Sequence, residues 1–321
     1  MRNLIIWTLV LGGIAYGSAK LYLHHEVASG MDSAVMMMSP YADVTYEGVS
    51  STISGKLTVN GLRARIKGFN DEIFIDRLGI DTPSFLTLLK LGDIAAGMRG
   101  SGNDMPEYMG FIVEGMRVPV NADYYRSVYK LGTDMLGAAD IDKPGVQCTG
   151  KYGFSPAALS DLGYNEQKVS FALYLRQSSS SFTMNMSAAV EQMWDVDVDL
   201  TFAGDMRSEM AKGAMFRPRM SRLELVLTDR SINARVSEYC EQLGLSAEET
   251  LQAQLDALHF FGENNGIVFD EYVIEPYTEF LTGKTTLIVT AQPSEPLNLT
   301  QIALYKPSDV PALLNLSARA D

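Results

Sequence analysis

The chain has 321 residues, 46% of them hydrophobic, and a formal charge of −13 from 26 basic and 39 acidic side chains. That apolar content supplies a core and argues against a disordered chain. An acidic body without a basic stripe repels phosphate, which excludes nucleic-acid binding and charge-driven attraction to anionic lipid as expectations.

In chain order, the first element is an uncharged run from Leu4 to Ala19, roughly 24 Å long as a helix and slightly short of a ~30 Å hydrocarbon core. Leu4, Ile5, Ile6, Trp7, Leu9, Val10, Leu11, Ile14 and Tyr16 supply its apolar surface, and Lys20 is placed to snorkel to the interface. Arg2 before the run predicts that the N-terminus stays inside while the body crosses. Residues 1–25 are therefore read as a membrane anchor. A cleaved signal peptide is the alternative, since Gly17-Ser18-Ala19 offers small residues to a peptidase. Both readings export the body, whereas a third, a buried helix of a soluble protein, does not.

Residues 26–143 form a second region, β-rich with helical insertions. Glu26–Ser39 is a neck whose Met36-Met37-Met38 either packs or faces lipid. From Tyr41 the pattern alternates, and the apolar parity switches near Gly61, which reads as a bulge or bend. A turn at Gly68–Asp71, a strand to Ile80 and a stop at Thr82-Pro83 follow, then helical spacing to about Gly97 and a loop at 101–106. Residues 108–118 read as a strand and Ala122–Leu136 as an amphipathic helix.

The third region, 144–321, is α+β and continuous with the second. Strands are expected at about 145–153, 168–176, 181–190, 193–202 and 221–228, and Ser155-Pro156 opens a short helix. In Trp194–Phe202 every second residue is apolar and Asp195, Asp197 and Asp199 fall between, as a sheet wetted on one face requires. Ser246-Ala247-Glu248-Glu249 is a capping box ahead of a helical run to Phe261. A helix over Phe269–Leu281 with Gly283 as its stop, a strand over Thr285–Ala291 and a short helix at Asp309-Val310-Pro311 complete the pattern. The fold class expected is α+β: a transmembrane helix, then a twisted, mainly antiparallel sheet with helices on one side.

The chemistry is sparse. Cys148 and Cys240 are the only thiols, and in an exported setting they point to one structural disulfide rather than two buried free thiols. His259 is the only histidine beyond His24 and His25, so neither a histidine-rich metal site nor a serine triad is expected. Gly283-Lys284-Thr285 lacks the earlier glycine and the following helix of a phosphate loop. The Asp195-x-Asp197-x-Asp199 start of a calcium loop fails at Leu200 and Met206. Met184, Met186, Met193, Met206, Met210, Met215 and Met220 either fill the core or line a lipid-accommodating groove. No catalytic, cofactor-binding or metal-ligating residues are assigned.

The order anchor, Tyr41-Ala42-Asp43-Val44, Ser54-Gly55-Lys56-Leu57-Thr58-Val59-Asn60-Gly61-Leu62 and Ile73–Ile80 resembles the opening of AsmA-like proteins anchored in the inner membrane of Gram-negative envelopes. The likeness covers about residues 1–91, and the remainder resembles uncharacterised bacterial envelope proteins. It implies a single-pass inner-membrane protein with its body in the periplasm, or a periplasmic protein after signal cleavage. The function expected is non-enzymatic binding of lipid or another apolar ligand on a concave sheet. The alternatives are an assembly subunit with an envelope protein partner and a carboxylate-dependent hydrolase.

Overall fold

The computed structural model describes residues 24–25, 27–88, 90, 106–135, 148, 155–205, 219–265, 268–298 and 305–321. Most strands are long and alternate, and they assemble into one sheet of twelve. These are β1 (Ala42–Thr45), β2 (Gly48–Ser51), β3 (Lys56–Ile66), β4 (Glu72–Asp81), β5 (Tyr108–Pro119), β6 (Glu166–Gln177), β7 (Ser181–Val190), β8 (Trp194–Ala203), β9 (Arg219–Asp229), β10 (Thr286–Ala291), β11 (Leu297–Asn298) and β12 (Leu316–Ala320). The order is β1-β3-β4-β5-β6-β7-β8-β9-β10-β12, with β2 also on β3 and β11 on β9. Every described pairing is antiparallel. From β3 to β10 each strand neighbours its predecessor in sequence, the arrangement that consecutive strands favour. The α+β, mainly antiparallel expectation therefore holds. The sheet also passes without a break from the second region into the third, through the pairing of β5 with β6.

The helices are α1 (27–38), α2 (Asp123–Met135), α3 (Pro156–Asp161), α4 (Ile232–Gln242), α5 (Ala247–Asn265), α6 (Glu271–Thr282) and α7 (Val310–Leu313). Their ends follow local chemistry. The Ser155 hydroxyl accepts from the Ala158 N–H at 3.0 Å, with Pro156 at the first helical position of α3. The capping box of α5 is complete: Ser246 N–H donates to Glu249 Oε2 at 2.8 Å, and Glu249 N–H donates to Ser246 Oγ at 3.2 Å. Those bonds from Ser246 hold the Glu249 carboxyl below the usual carboxylate range. Gly283 caps α6 in a backbone conformation that favours glycine. Among the described residues no helix is long and apolar enough to cross a membrane. The anchor residues Leu4, Ile5, Ile6, Trp7, Leu9, Val10, Leu11, Ile14 and Tyr16 lie outside the described residues. So do most of the expected strand at 145–153 and the greater part of the expected helix and loop at 83–106.

The bend read near Gly61 is present. Gly61 has φ +60, and β1 and β2 pair with β3 on either side of it, with the Glu47 side chain folded over the glycine. A second break sits on β5, where the register against β6 shifts between Val113 and Met116. Gly115 there has φ +62, and the Asp76 carboxyl occupies the space a β-carbon would need.

Two elements go beyond the sequence expectation: residues 232–242 form a helix, and the C-terminal residues return as β12 against β10. Residues 85–88 and Lys90 are helical after Thr82-Pro83, and the rest of the helix expected to Gly97 lies outside the described residues.

The core gathers at the ends of the strands. At one end, where β5, β7 and β9 finish, Val120, Leu159, Leu162, Tyr164, Val190, Met193, Ile232, Val236 and the two cysteines are buried together. Val118, Ala122 and Tyr124 form an adjoining cluster with Ile66, Ile73 and Met116. The opposite end holds Phe182, Phe202, Met220 and Ala291, joined by Leu314 of α7. The first is called the disulfide end below and the second the far end.

Candidate functional site

Residues directly opposite in an antiparallel ladder share a face, so the registers define both faces of the sheet. One row reads Val59, Leu78, Val113, Phe171, Ala188, Val196, Leu227, Leu287. A second reads Leu57, Ile80, Phe111, Leu173, Met186, Val198, Leu225, Val289. Both continue onto β12 through Ala320 and Ala318. Each row crosses nine strands, roughly 38 Å at the usual strand spacing, without a polar side chain.

The alternate rows are of another kind. One reads Thr58, Gly79, Ile112, Ala172, Ser187, Asp197, and the next Lys56, Asp81, Gly110, Tyr174, Asn185, Asp199, Glu224. One face of the sheet is thus apolar over its middle, and the other carries the charge.

Among the described residues, the buried clusters on the apolar face lie towards its ends. Ile232, Val236 and Cys240 of α4 pack on Val190, Val169 and Trp194 at the disulfide end. Leu314 packs against Phe182, Phe202 and Leu316 at the far end. Between them the second apolar row is half-buried throughout, and Phe111 is exposed. Apolar surface that stays in contact with water across so many strands is unusual for a sheet whose purpose is only to fold.

The charged face is hollowed. A trough of about 650 Å³ crosses β3 to β8 over Gly79, Ala172, Ser187 and Ala189, and a smaller hollow of about 330 Å³ adjoins it through Tyr174, Ser187 and Asp197. Small residues in register make the depression, and Arg77, Tyr174 and Glu114 rise at its sides. The Tyr174 ring lies over Gly110 directly across the strand, where a β-carbon would collide with it.

Four carboxylates of this face are engaged by donors. Asp81 accepts from the Tyr108 hydroxyl at 2.8 Å and lies 3.5 Å from Lys56 Nζ. Arg77 pairs with Glu114, Arg230 Nε donates to Asp195 at 2.7 Å, and Asn185 donates to Asp199 at 2.7 Å. Burial, and then the bond to Asp81, pushes the Tyr108 hydroxyl up to about 12. The aspartate triplet singled out by sequence is therefore built into the wetted sheet face.

The other singled-out residues are distributed as follows. Cys148 and Cys240 are bridged, 92 residues apart with Cα atoms 5.7 Å apart, and both are buried in the core of the disulfide end. His259 is exposed on α5. Gly283-Lys284-Thr285 is a helix stop, with the Lys284 N–H donating to the Glu279 carbonyl at 2.9 Å. Among the described methionines, Met193 is buried at the disulfide end, Met220 is buried at the far end with Met184 packed against its cluster, and Met186 lies half-buried on the apolar face. Met206, Met210 and Met215 fall outside the described residues.

One cluster carried no sequence signal. Phe74 lies between Arg63 and Arg117, its partners on either side, with guanidinium carbons 5.4 and 4.7 Å from the ring centre. Only the strand register brings these three together.

Residues 171–321 match the model of a protein family described as an uncharacterized protein. The match begins within β6 and runs through β12, so it takes in the apolar rows from Phe171 onward, α4 and Cys240. A comparison with curated proteins finds no match.

Proposed function

We propose that the protein is a membrane-tethered, non-enzymatic envelope component that holds lipid acyl chains, or a ligand of similar apolarity, on the apolar face of its sheet. The observation that carries this reading is the pair of apolar rows crossing nine strands, whose central members stay half-exposed while both ends are sealed. A hydrocarbon chain laid on such rows removes apolar surface from water at about 25 cal/mol per Å² and demands no hydrogen bonds in return. The bridge of Cys148 to Cys240 supports an oxidising compartment such as the periplasm. The uncharged run from Leu4 to Ala19 supports the tether, and the likeness to AsmA-like proteins agrees with both. The hollow of the sheet is the charged trough, and the apolar ligand is assigned to the opposite, apolar face.

Mass spectrometry of solvent extracts from purified protein tests the reading. Co-purifying lipid is expected, and Phe111→Asp, at an exposed position of the second apolar row, is expected to lower its recovery while leaving the fold intact. No lipid from the wild type, or equal lipid from both proteins, would sink it.

A second reading, an assembly subunit, rests on a separate observation. Phe260 and Phe261 on α5, with Val268 and Tyr272 beside α6, are 45%, 49%, 60% and 39% exposed. Crosslinking from position 260 to one dominant protein in the absence of bound lipid would favour this reading over the first.

A further inference from the structure

We infer that the end of α1 is a membrane-contact patch that sets the sheet's orientation, with its disulfide end towards the bilayer and its far end away. This inference rests on the tethered reading above and adds to it a surface, a partner and a geometry. α1 has one half-buried stripe, formed by Val27, Ala28, Met31, Ala34 and Val35 at helical spacing. The side chains that follow leave that stripe. Met36 and Met37 are each 74% exposed, Met38 is 50% and Tyr41 is 72% exposed. Four large apolar or amphipathic side chains within residues 36–41 are thus exposed close together along the chain, a concentration that water does not favour.

The patch is fixed to the sheet. The Lys67 N–H donates to the Tyr41 carbonyl at 2.8 Å, and Lys67 Nζ donates to the Ser39 carbonyl. The Tyr46 hydroxyl donates to Asp32 on α1 at 2.6 Å. Residues 39–41 are thereby stapled to the end of β3, so whatever the patch touches is brought to the turn between β3 and β4. That turn lies at the end of the strands where β5, β7 and β9 also finish, the disulfide end.

The occupant is a lipid surface for two reasons. The uncharged run to Ala19 precedes Met36 so closely that a helical path between them spans only roughly 25 Å. A patch tied by a path of that length to a bilayer-inserted segment stays within reach of the interface. Its composition also suits that zone: methionine side chains adapt to irregular apolar surroundings, and tyrosine places its ring in the apolar layer and its hydroxyl in the headgroups. With a net charge of −13 the protein is repelled by anionic headgroups, so contact is expected to be driven by apolar burial on a zwitterionic surface.

The test uses the full chain in phosphatidylcholine vesicles. An environment-sensitive fluorophore is attached at Met37→Cys and, in a second protein, at the exposed Ser308→Cys near the far end. The bridged Cys148 and Cys240 leave each new thiol as the labelling site. The expected result is flotation with the vesicles, with the probe at 37 quenched by spin-labelled lipid about 5–10 Å into the interface and shielded from iodide. The probe at 308 is expected to stay open to iodide. Flotation with both probes equally open to iodide would overturn the patch while the tether stands. Lipid quenching of both probes would overturn the orientation. Failure to float would overturn the tether and the patch together.

Discussion

The disulfide end and the middle of the sheet are built from the same kind of strand yet finished differently. At the disulfide end α4 lays Ile232, Val236 and Cys240 on the apolar face, α3 supplies the fully buried Leu159, and the bridge from Cys148 locks the layer. Arg235 closes it from outside, 4.5 Å over the Tyr164 ring and donating to the Leu162 carbonyl at 3.1 Å. In the middle the strands present equally apolar residues, and they remain half in water. Burial is thus concentrated where the helices dock, and the middle of the sheet is the surface to which the proposed ligand is assigned. The contrast separates a part of the sheet closed by packing from a part left partly exposed.

The largest effect should come from cutting the lock. Reduction, or the double substitution Cys148→Ala with Cys240→Ala, releases a constraint between residues 92 apart. The chain-entropy model puts that at up to about 4–5 kcal/mol. Denaturant unfolding with and without reductant measures it. A loss confined to a few tenths of a kcal/mol would mean the helices hold the disulfide end unaided.

Next in size is a matched pair of core truncations. Leu159→Ala removes a fully buried side chain and is expected to cost about 2–5 kcal/mol. Leu225→Ala, in the second apolar row, removes a half-buried one and should cost less than half as much, about 1–2 kcal/mol. Equal losses, read from chemical denaturation midpoints, would erase the distinction between sealed end and open middle.

The smallest effect concerns pH and compares the two ends. Burial, then the nearby Asp71, pushes Tyr124 beside the disulfide end up to about 12, and Tyr108 at the far end is raised to about 12 as well. A tyrosine whose folded pKa is raised contributes stability that is complete below pH 10 and is lost as pH climbs from 10 to 12, because the unfolded chain gives up its proton first. Ultraviolet titration should show these two among the late-ionising tyrosines, with one fewer such group in Tyr108→Phe. Ionisation of both near pH 10 in the folded protein would contradict the burial assigned to them.

Much of the architecture was legible in the residues. The alternation from Trp194 to Phe202 assigns both faces of β8, the parity switch marks the bend at Gly61, and Ser246 with Glu249 announces α5. The two thiols, standing alone in a long chain, identify their own bridge. α4 was less visible because its apolar residues recur only once per turn, at Ile232, Val236 and Cys240, among polar neighbours. β12 is short and rich in small residues, and it becomes a strand through its pairing with β10 and not through its own propensity. The apolar face could be read one strand at a time, but its continuity could not, since that depends on registers. The trough is hidden for the same reason: Gly79, Ala172 and Ser187 are ordinary small residues until pairing lines them up.

The winding order of the strands has a consequence for how the molecule is assembled. Because β3 to β10 each dock on the strand just made, every closure along that path joins strands consecutive in the chain, with long excursions between β4 and β5, through α2 and α3 between β5 and β6, and through α4, α5 and α6 between β9 and β10. Such a layout shortens the loops that must close before contacts reward them, and it lets the sheet zip outward from any early hairpin. Cys148 precedes β6 and Cys240 follows β9, so the loop that the bridge closes contains four consecutive strands, and in the folded molecule their registers and the bridge are satisfied together.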